Sequence, residues 1–229
     1  MIDEAPLLTI RKTFERPQAS LVAAFKGVPT AQISDAMHAG GAMDFAIKPP
    51  PGMPEFFIGT ALTCDCGPGD NLAVCAAVAL AEAGDVIVAA THGFTQAGII
   101  GDLLAGMMQN REVAAFVTDG VVRDIADLRR IGLPVFAKGA TPSSVHRSGP
   151  GTVGLPIVCG GVAVESGDIL IGDPDGVVVV PHRRAAEIVE RLKVVRTNEA
   201  GLLSEVTAGL DAPGFAIELL ASNRVRYLD

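Results

Sequence analysis

Apolar and polar positions along this chain repeat with two periods, and the period changes from element to element. Pro17 to Phe25 carries Leu21, Val22 and Phe25 at helical spacing and predicts a first helix. Thr30 is a good N-cap for a second, short helix through Met37, ended by Gly40-Gly41. Lys48-Pro49-Pro50-Pro51-Gly52 is a rigid break. Phe56 to Thr63 reads as a strand, Pro68-Gly69-Asp70-Asn71 as a turn, and Leu72 to Ala83 as an apolar helix. Val86 to Ala90 is a strand, and Gly101-Asp102 opens a helix through about Asn110. Val113 to Thr118 is a strand, Asp124 to Ile131 a helix and Pro134 to Ala137 a strand. Strand, helix and strand with short connections predict βαβ units around a parallel sheet. The later chain changes character. Leu155 to Val164 reads as one strand, and Asp168–Ile171 with Val177–Val180 flank Gly172-Asp173-Pro174-Asp175-Gly176, a hairpin signature. A long helix follows, about Arg183 to Leu203, and Asp211 to Asp229 forms a possible separate arm. The expectation is an α/β core, parallel or mixed, with a β-rich layer and a protruding C-terminal helix. It makes one domain over residues 1–229, with 183–229 as helix and arm.

Composition narrows the function. The chain has 229 residues, 49% of them apolar and 19% charged, enough to bury a core without metals or disulfides. Its net charge is −8 with no basic run, which disfavours tracking of a nucleic-acid backbone. Nine Phe, one Tyr and no Trp leave little for base stacking. The acidic start Met1-Ile2-Asp3-Glu4 lacks the basic and apolar regions of a signal peptide. Cys64, Cys66, Cys75 and Cys159 have neither a disulfide framework nor zinc spacing. They read as reduced core thiols of a cytoplasmic protein. Leu72 to Ala81 is half the length of a membrane span and reads as buried helix.

The richest stretch for chemistry is Gly101-Asp102-Leu103-Leu104, followed after 20 intervening residues from Asp102 by Arg123-Asp124. A helix start presents unpaired N–H groups that hold an anion such as a carboxylate. Arg123-Asp124 falls at the carboxyl side of a predicted strand, where open α/β sheets bind ligands. An Arg offers a planar fork for a carboxylate or enolate. An Asp can hold Mg²⁺, which takes one or two protein carboxylates and keeps several waters. A second reading stands beside this one. In it Asp102 and Asp124 are helix caps, and Arg123 pairs with a surface acid.

Three segments carry a family resemblance. Gly101-Asp102-Leu103-Leu104, Val117-Thr118-Asp119-Gly120-Val121-Val122-Arg123-Asp124 and Leu133-Pro134-Val135-Phe136-Ala137 resemble the class II pyruvate aldolases of the 4-hydroxy-4-methyl-2-oxoglutarate aldolase type. That family shares its fold with the regulator of ribonuclease activity A (RraA). The likeness extends to Thr30–Ala36, to Pro68–Asn71 and to Gly167–Pro181, and spans roughly Ala19 to Glu205. It implies a swivelling β/β/α fold, assembled as a trimer or a dimer of trimers with active sites between subunits. It further implies that the backbone of Gly101, Asp102, Leu103 and Leu104 holds the pyruvoyl carboxylate. Arg123 would stabilise the enolate, Asp124 would ligate the metal, Mg²⁺ or Mn²⁺, and Asp102 would hold a water on it. The neighbouring subunit would lend an acid, Glu199 or else Glu205.

The activity implied is cleavage of a 4-hydroxy-2-oxo acid, such as 4-hydroxy-4-methyl-2-oxoglutarate or 4-carboxy-4-hydroxy-2-oxoadipate, to pyruvate and a second keto acid. Oxaloacetate decarboxylation is the expected side activity, since it passes through the same enolate. Lys138 reads as structural rather than as a Schiff-base lysine. His92, after a strand end, is a candidate for the distal part of the substrate, with Met43–Met53 as a possible wall. His38, His146 and His182 form no metal triad, and Asp173 and Asp175 read as hairpin residues. No phosphate loop or dinucleotide fingerprint is present, so no nucleotide cofactor is expected. The alternative from another class is a non-catalytic RraA-like regulator that binds a ribonuclease. The pair Asp102 and Asp124 favours the enzyme.

Overall fold

A computed structural model of the protein describes residues 6–228; Met1-Ile2-Asp3-Glu4 and Asp229 lie outside the described residues. The chain runs β1 (Leu8–Ile10), α1 (Ala19–Ala23), α2 (Thr30–Ala36), β2 (Phe57–Asp65), α3 (Leu72–Leu80), β3 (Asp85–Ala90), α4 (Asp102–Asn110), β4 (Ala115–Thr118), α5 (Ile125–Ile131) and β5 (Val135–Phe136). It continues with β6 (Gly151–Val153), β7 (Ile157–Cys159), β8 (Val162–Val164), β9 (Ile169–Asp173) and β10 (Gly176–Val180). A 3-10 turn then leads into α6 (Ala185–Thr207), and α7 (Gly214–Leu220) follows. No helix among the described residues is long and apolar enough to cross a membrane.

Strands β2, β3, β4 and β5 lie side by side and parallel, joined through α3, α4 and α5. The nine residues of β2 serve several partners. Its first half pairs antiparallel with β9, from Phe57↔Gly172 to Thr60↔Ile169, and its end pairs antiparallel with β6 at Cys64↔Val153. The sheet is therefore mixed.

Packing follows from which face each apolar residue takes. Helices α3, α4 and α5 cover one face, with Val74, Ala77, Met108 and Leu128 against Leu62, Ile87 and Phe116. The other face, with Ala61, Val88, Val117 and Phe136, packs on the β7–β8 hairpin and on Val177 and Val179 of β10. Phe57 meets Phe136 edge-on at 4.9 Å between ring centroids. The far side of the β9–β10 hairpin packs Ile169, Ile171, Val178 and Val180 against α2 and α6. Each such fully buried side chain contributes about 1.5–3 kcal/mol. This is the helix, sheet and β-layer order expected, with the long C-terminal helix. In α6 only Ala185, Ile188 and Leu192 are buried, and the helix stands exposed from Arg196 onward.

Local readings differ from the structure in three places. Leu155–Val164 is two strands, because Gly160 and Gly161 both take left-handed backbone (φ 57° and 79°) and close a tight hairpin. Thr30 is the first helical residue of α2 and not its cap; Pro29 holds the cap position. The anion that serves this helix start is remote. Asp173 accepts from Thr30 N at 2.8 Å and from Thr30 Oγ1 at 2.7 Å, besides its own hairpin bond from Asp175 N at 2.9 Å. Finally, β1 and β6 are three-residue strands with no readable alternation.

Candidate active site

The carboxyl ends of β3 and β4 set the site. Asp119, just past β4, is 6% exposed, and its carboxylate accepts from Thr91 N (2.7 Å), Thr91 Oγ1 (2.9 Å) and Gly93 N (3.0 Å). That ties the loop after β3 to the loop after β4. The segment Gly98–Gly101 then runs beside Val121–Arg123: Ile99 N donates to Val121 O at 2.9 Å, and Arg123 N to Ile100 O at 3.0 Å. The start of α4 thereby lies next to Arg123-Asp124.

Asp124 is not a capping side chain, although it stands at the head of α5. Its backbone is left-handed (φ 59°, ψ 42°) and its carboxylate makes no cap hydrogen bond. Most L-residues pay roughly 1–2 kcal/mol for this conformation, and aspartate is among the few that visit it. It aims the carboxylate at Arg123, with Oδ2 at 3.2 Å from Nε, both side chains about one-third exposed. Gly101 completes the corner. A Cβ there would collide with Asp124 Oδ2 and stand 3.0 Å from Arg123 Nε. Asp102 is likewise no side-chain cap, since Gly101 holds the cap position of α4 and Asp102 lies in its first turn. The open N-terminus of α4 faces a cleft of about 90 Å3 lined by Asn71, Gly98–Leu104, Arg123, Ser144, Val145 and Arg147.

Ser144, Arg147 and Asn71 are additions to the residues read from sequence. Arg123 Nη1 donates to Ser144 Oγ. The loop bearing Ser144 and Arg147 is held by the Pro68–Asn71 turn. His146 N donates to Gly69 O at 2.8 Å, Asn71 N to His146 O at 3.0 Å, and Gly149 N to Asp70 Oδ2 at 3.0 Å. The polar, aperiodic run Pro142–Arg147 gave no signal; the turn that anchors it did.

The structure does not bring His92 and Glu199 into the cleft of their own chain. His92, left-handed at φ 57°, directs Nε2 to Asp65 Oδ1 at 3.0 Å and is more than half exposed. Glu199, on the exposed half of α6, accepts from Gln32 Nε2 at 2.5 Å. Lys138 pairs with Asp44 at 2.7 Å, and that hydrogen bond holds the Asp44 carboxyl below its usual range. All four cysteines are free. The hydrogen bond with Cys66 and burial push the Cys64 thiol well up, and burial does the same to Cys159, so neither is a nucleophile.

Among the described residues, no three His, Cys, Asp or Glu side chains gather for a metal. The described residues of one chain therefore form no cage of protein ligands. The donor chemistry fits a hard cation that keeps most of its water: one part-exposed carboxylate, Asp124, in a corner that a Cβ on Gly101 would fill.

Comparison with known proteins agrees with this architecture. The family described as RraA-like, Aldolase/RraA, matches residues 30–179. A protein of Halalkalibacterium halodurans, provisionally named a 4-hydroxy-4-methyl-2-oxoglutarate aldolase, is 35% identical over 77% of this chain and 83% of its own. The crystal structure of Streptomyces coelicolor RraAS2, described as an unusual member of the RNase ES inhibitor RraA family, superposes with a TM-score of 0.73. It is 27% identical and covers 84% of this chain and 100% of its own. The RNA-processing inhibitor RraA from Thermus thermophilus gives a TM-score of 0.62 at 28% identity, over 67% and 93% of the two chains. Fold, matched segment and relatives coincide on the part of the chain that builds the cleft, and the chain belongs to the RraA-like family.

Proposed function

We propose that this protein is a divalent-metal-dependent pyruvate aldolase. Its substrate would be a 4-hydroxy-2-oxo acid such as 4-hydroxy-4-methyl-2-oxoglutarate or 4-carboxy-4-hydroxy-2-oxoadipate, with oxaloacetate decarboxylation as a side reaction. The observation that carries the reading is the placement of Asp124: a left-handed aspartate whose side chain caps no helix, set against Arg123 and a Gly101 that leaves no room for a Cβ.

In this reading the N–H groups at the start of α4 bind the pyruvoyl carboxylate. Arg123 donates to the 2-oxo oxygen, where negative charge develops as the carbon–carbon bond breaks. A water held by Asp102 takes the proton of the 4-hydroxyl and later returns one to the pyruvate carbon. Asp124 would hold Mg²⁺ or Mn²⁺, which supplies Lewis-acid polarisation of the 2-oxo acid when bound. The exposed half of α6 and the α7 arm would pack against neighbouring subunits of a trimer or hexamer, lending Glu199 to the next cleft. His92, outside the cleft of its own chain, would meet substrate only in a cleft completed by a neighbouring subunit. The four free thiols, three of them buried, suit a reducing cytoplasm.

The test is pyruvate release from 4-hydroxy-4-methyl-2-oxoglutarate and from oxaloacetate, with Mg²⁺, Mn²⁺ or a chelator. Release that the chelator abolishes is expected. No pyruvate from either substrate with metal present overturns the reading in favour of a non-catalytic, ribonuclease-binding regulator. The described roles of the two RraA structures motivate that alternative.

A further inference from the structure

The cleft at the head of α4 is lined by an arginine that no carboxylate among the described residues pairs. Its lining carries Arg123 and Arg147 against one acid, Asp102. Arg123 has a partner in Asp124. Among the described residues Arg147 has no carboxylate within ion-pairing distance, in a chain whose net charge is −8.

Arg147 is exposed, but its guanidinium is tied to the wall of the cleft. Arg147 Nε donates to Asn71 Oδ1 at 3.3 Å. Asn71 is 4% exposed, and its Nδ2 donates to Ile99 O at 2.9 Å. A carbonyl only accepts, so Ile99 fixes the amide with its oxygen toward Arg147. The loop itself is pinned by Asp70, whose carboxylate accepts from Ser148 N and Gly149 N. With Nε engaged, the two Nη groups remain, and they form the fork that grips a carboxylate.

We propose that Arg147 reads a second carboxylate, at the end of the substrate remote from its 2-oxo acid, and that Asn71 positions it. The proposal rests on the aldolase reading. There the first carboxylate lies on the N–H groups of α4 and the oxo oxygen by Arg123, and Arg147 reaches the same small cleft from a separate loop. The preferred substrates are then 4-hydroxy-2-oxo acids with a second carboxylate, and an acid ending in an alkyl group leaves the guanidinium unmatched.

The experiment compares wild type, Arg147→Met and Arg147→Lys on two substrates with Mg²⁺ present. One is 4-hydroxy-4-methyl-2-oxoglutarate, with two carboxylates, and the other is 4-hydroxy-2-oxopentanoate, with one. Arg147→Met should lower kcat/KM on the first by about 10- to 100-fold, mainly through KM, and leave the second within about threefold. Arg147→Lys should recover part of the loss. Asn71→Ala should raise KM for the first substrate alone and add nothing in the Arg147→Met background. Equal losses on both substrates, or no loss on the first, overturn the proposal.

Calorimetric binding of 2-oxoglutarate against pyruvate, on wild type and Arg147→Met, reads the same discrimination without turnover. Wild type should prefer 2-oxoglutarate and the variant should not; an unchanged preference also overturns the proposal. If wild type releases no pyruvate from either substrate, the aldolase reading falls, and the binding comparison still decides the role of Arg147.

Discussion

Arg123 Nε and Asp124 Oδ2 lie 3.2 Å apart although the two residues are chain neighbours, and the left-handed backbone of Asp124 brings this about. The guanidinium is held on its other side by Ser144. The carboxylate and the guanidinium of the proposed site are thus fixed by one left-handed residue and one hydroxyl. Asp124→Asn tests the charge alone, because asparagine tolerates the left-handed region and matches the shape. Pyruvate release should fall by at least about 100-fold, and Mn²⁺ binding followed by electron paramagnetic resonance should weaken in step. Stability in urea should stay within about 0.5 kcal/mol.

Two glycines five residues apart should behave in opposite ways. Gly101 has φ −134°, open to any residue, yet a Cβ there strikes the Asp124 carboxylate. Gly101→Ala should fold and lose most turnover. Gly106, inside α4, has nothing within 4 Å of an added Cβ. Gly106→Ala should raise stability by about 0.5–1 kcal/mol without changing turnover. Thermal melts and the pyruvate assay on both variants check the pair.

Asp119 tests the frame rather than the chemistry. Its buried carboxylate serves two backbone N–H groups and a hydroxyl. Asp119→Ala strands these donors and should cost about 2–4 kcal/mol in urea unfolding.

Asp168 supplies a pH test with an unusual sign. Burial outweighs its bonds from Glu165 N and His182 N and raises its carboxyl above the ordinary value. The folded state therefore holds this proton more tightly than the unfolded state. The group gains stability as pH falls through the raised pKa toward the ordinary range, and loses it as pH rises. Wild type should therefore gain stability relative to Asp168→Asn from pH 7 to pH 4. Asp44 runs the other way, because its hydrogen bond to Lys138 lowers its pKa. The advantage of wild type over Asp44→Asn should be full above the ordinary carboxylate pKa and vanish as pH falls through the lowered one. Urea midpoints at several pH values check both.

Residues whose role is local were legible in the chain. Gly101-Asp102 announces a helix start, Pro68–Asn71 a turn, and Pro174-Asp175 a hairpin, and each is where the pattern says. What escaped depends on partners far away. Thr30 looks like a cap by itself, but the acid at its helix start comes from Asp173 on the β9–β10 hairpin. Ser144 and Arg147 sit in an irregular loop whose position depends on bridges from Gly98 to Ser144 and from Asp70 to His146. No period marks such a loop. The spacing of Asp102 and Asp124 identified a pair of acids, but not that neither caps a helix; that needed the backbone of Asp124.

The shared strand β2 also sets the order in which the molecule can assemble. Its parallel pairing with β3 joins nearby segments, whereas its pairing with β6 closes a chain loop of roughly 90 residues. Loop closure is slow when the ends are distant, so the βαβ half gains its contacts before β6 docks. The wall of the cleft that carries Ser144 and Arg147 lies just ahead of β6 in the chain. During refolding, circular dichroism of the sheet should therefore recover ahead of ligand binding, and a nascent chain that ends before β6 holds the Asp124 corner with the facing loop not yet anchored by β6.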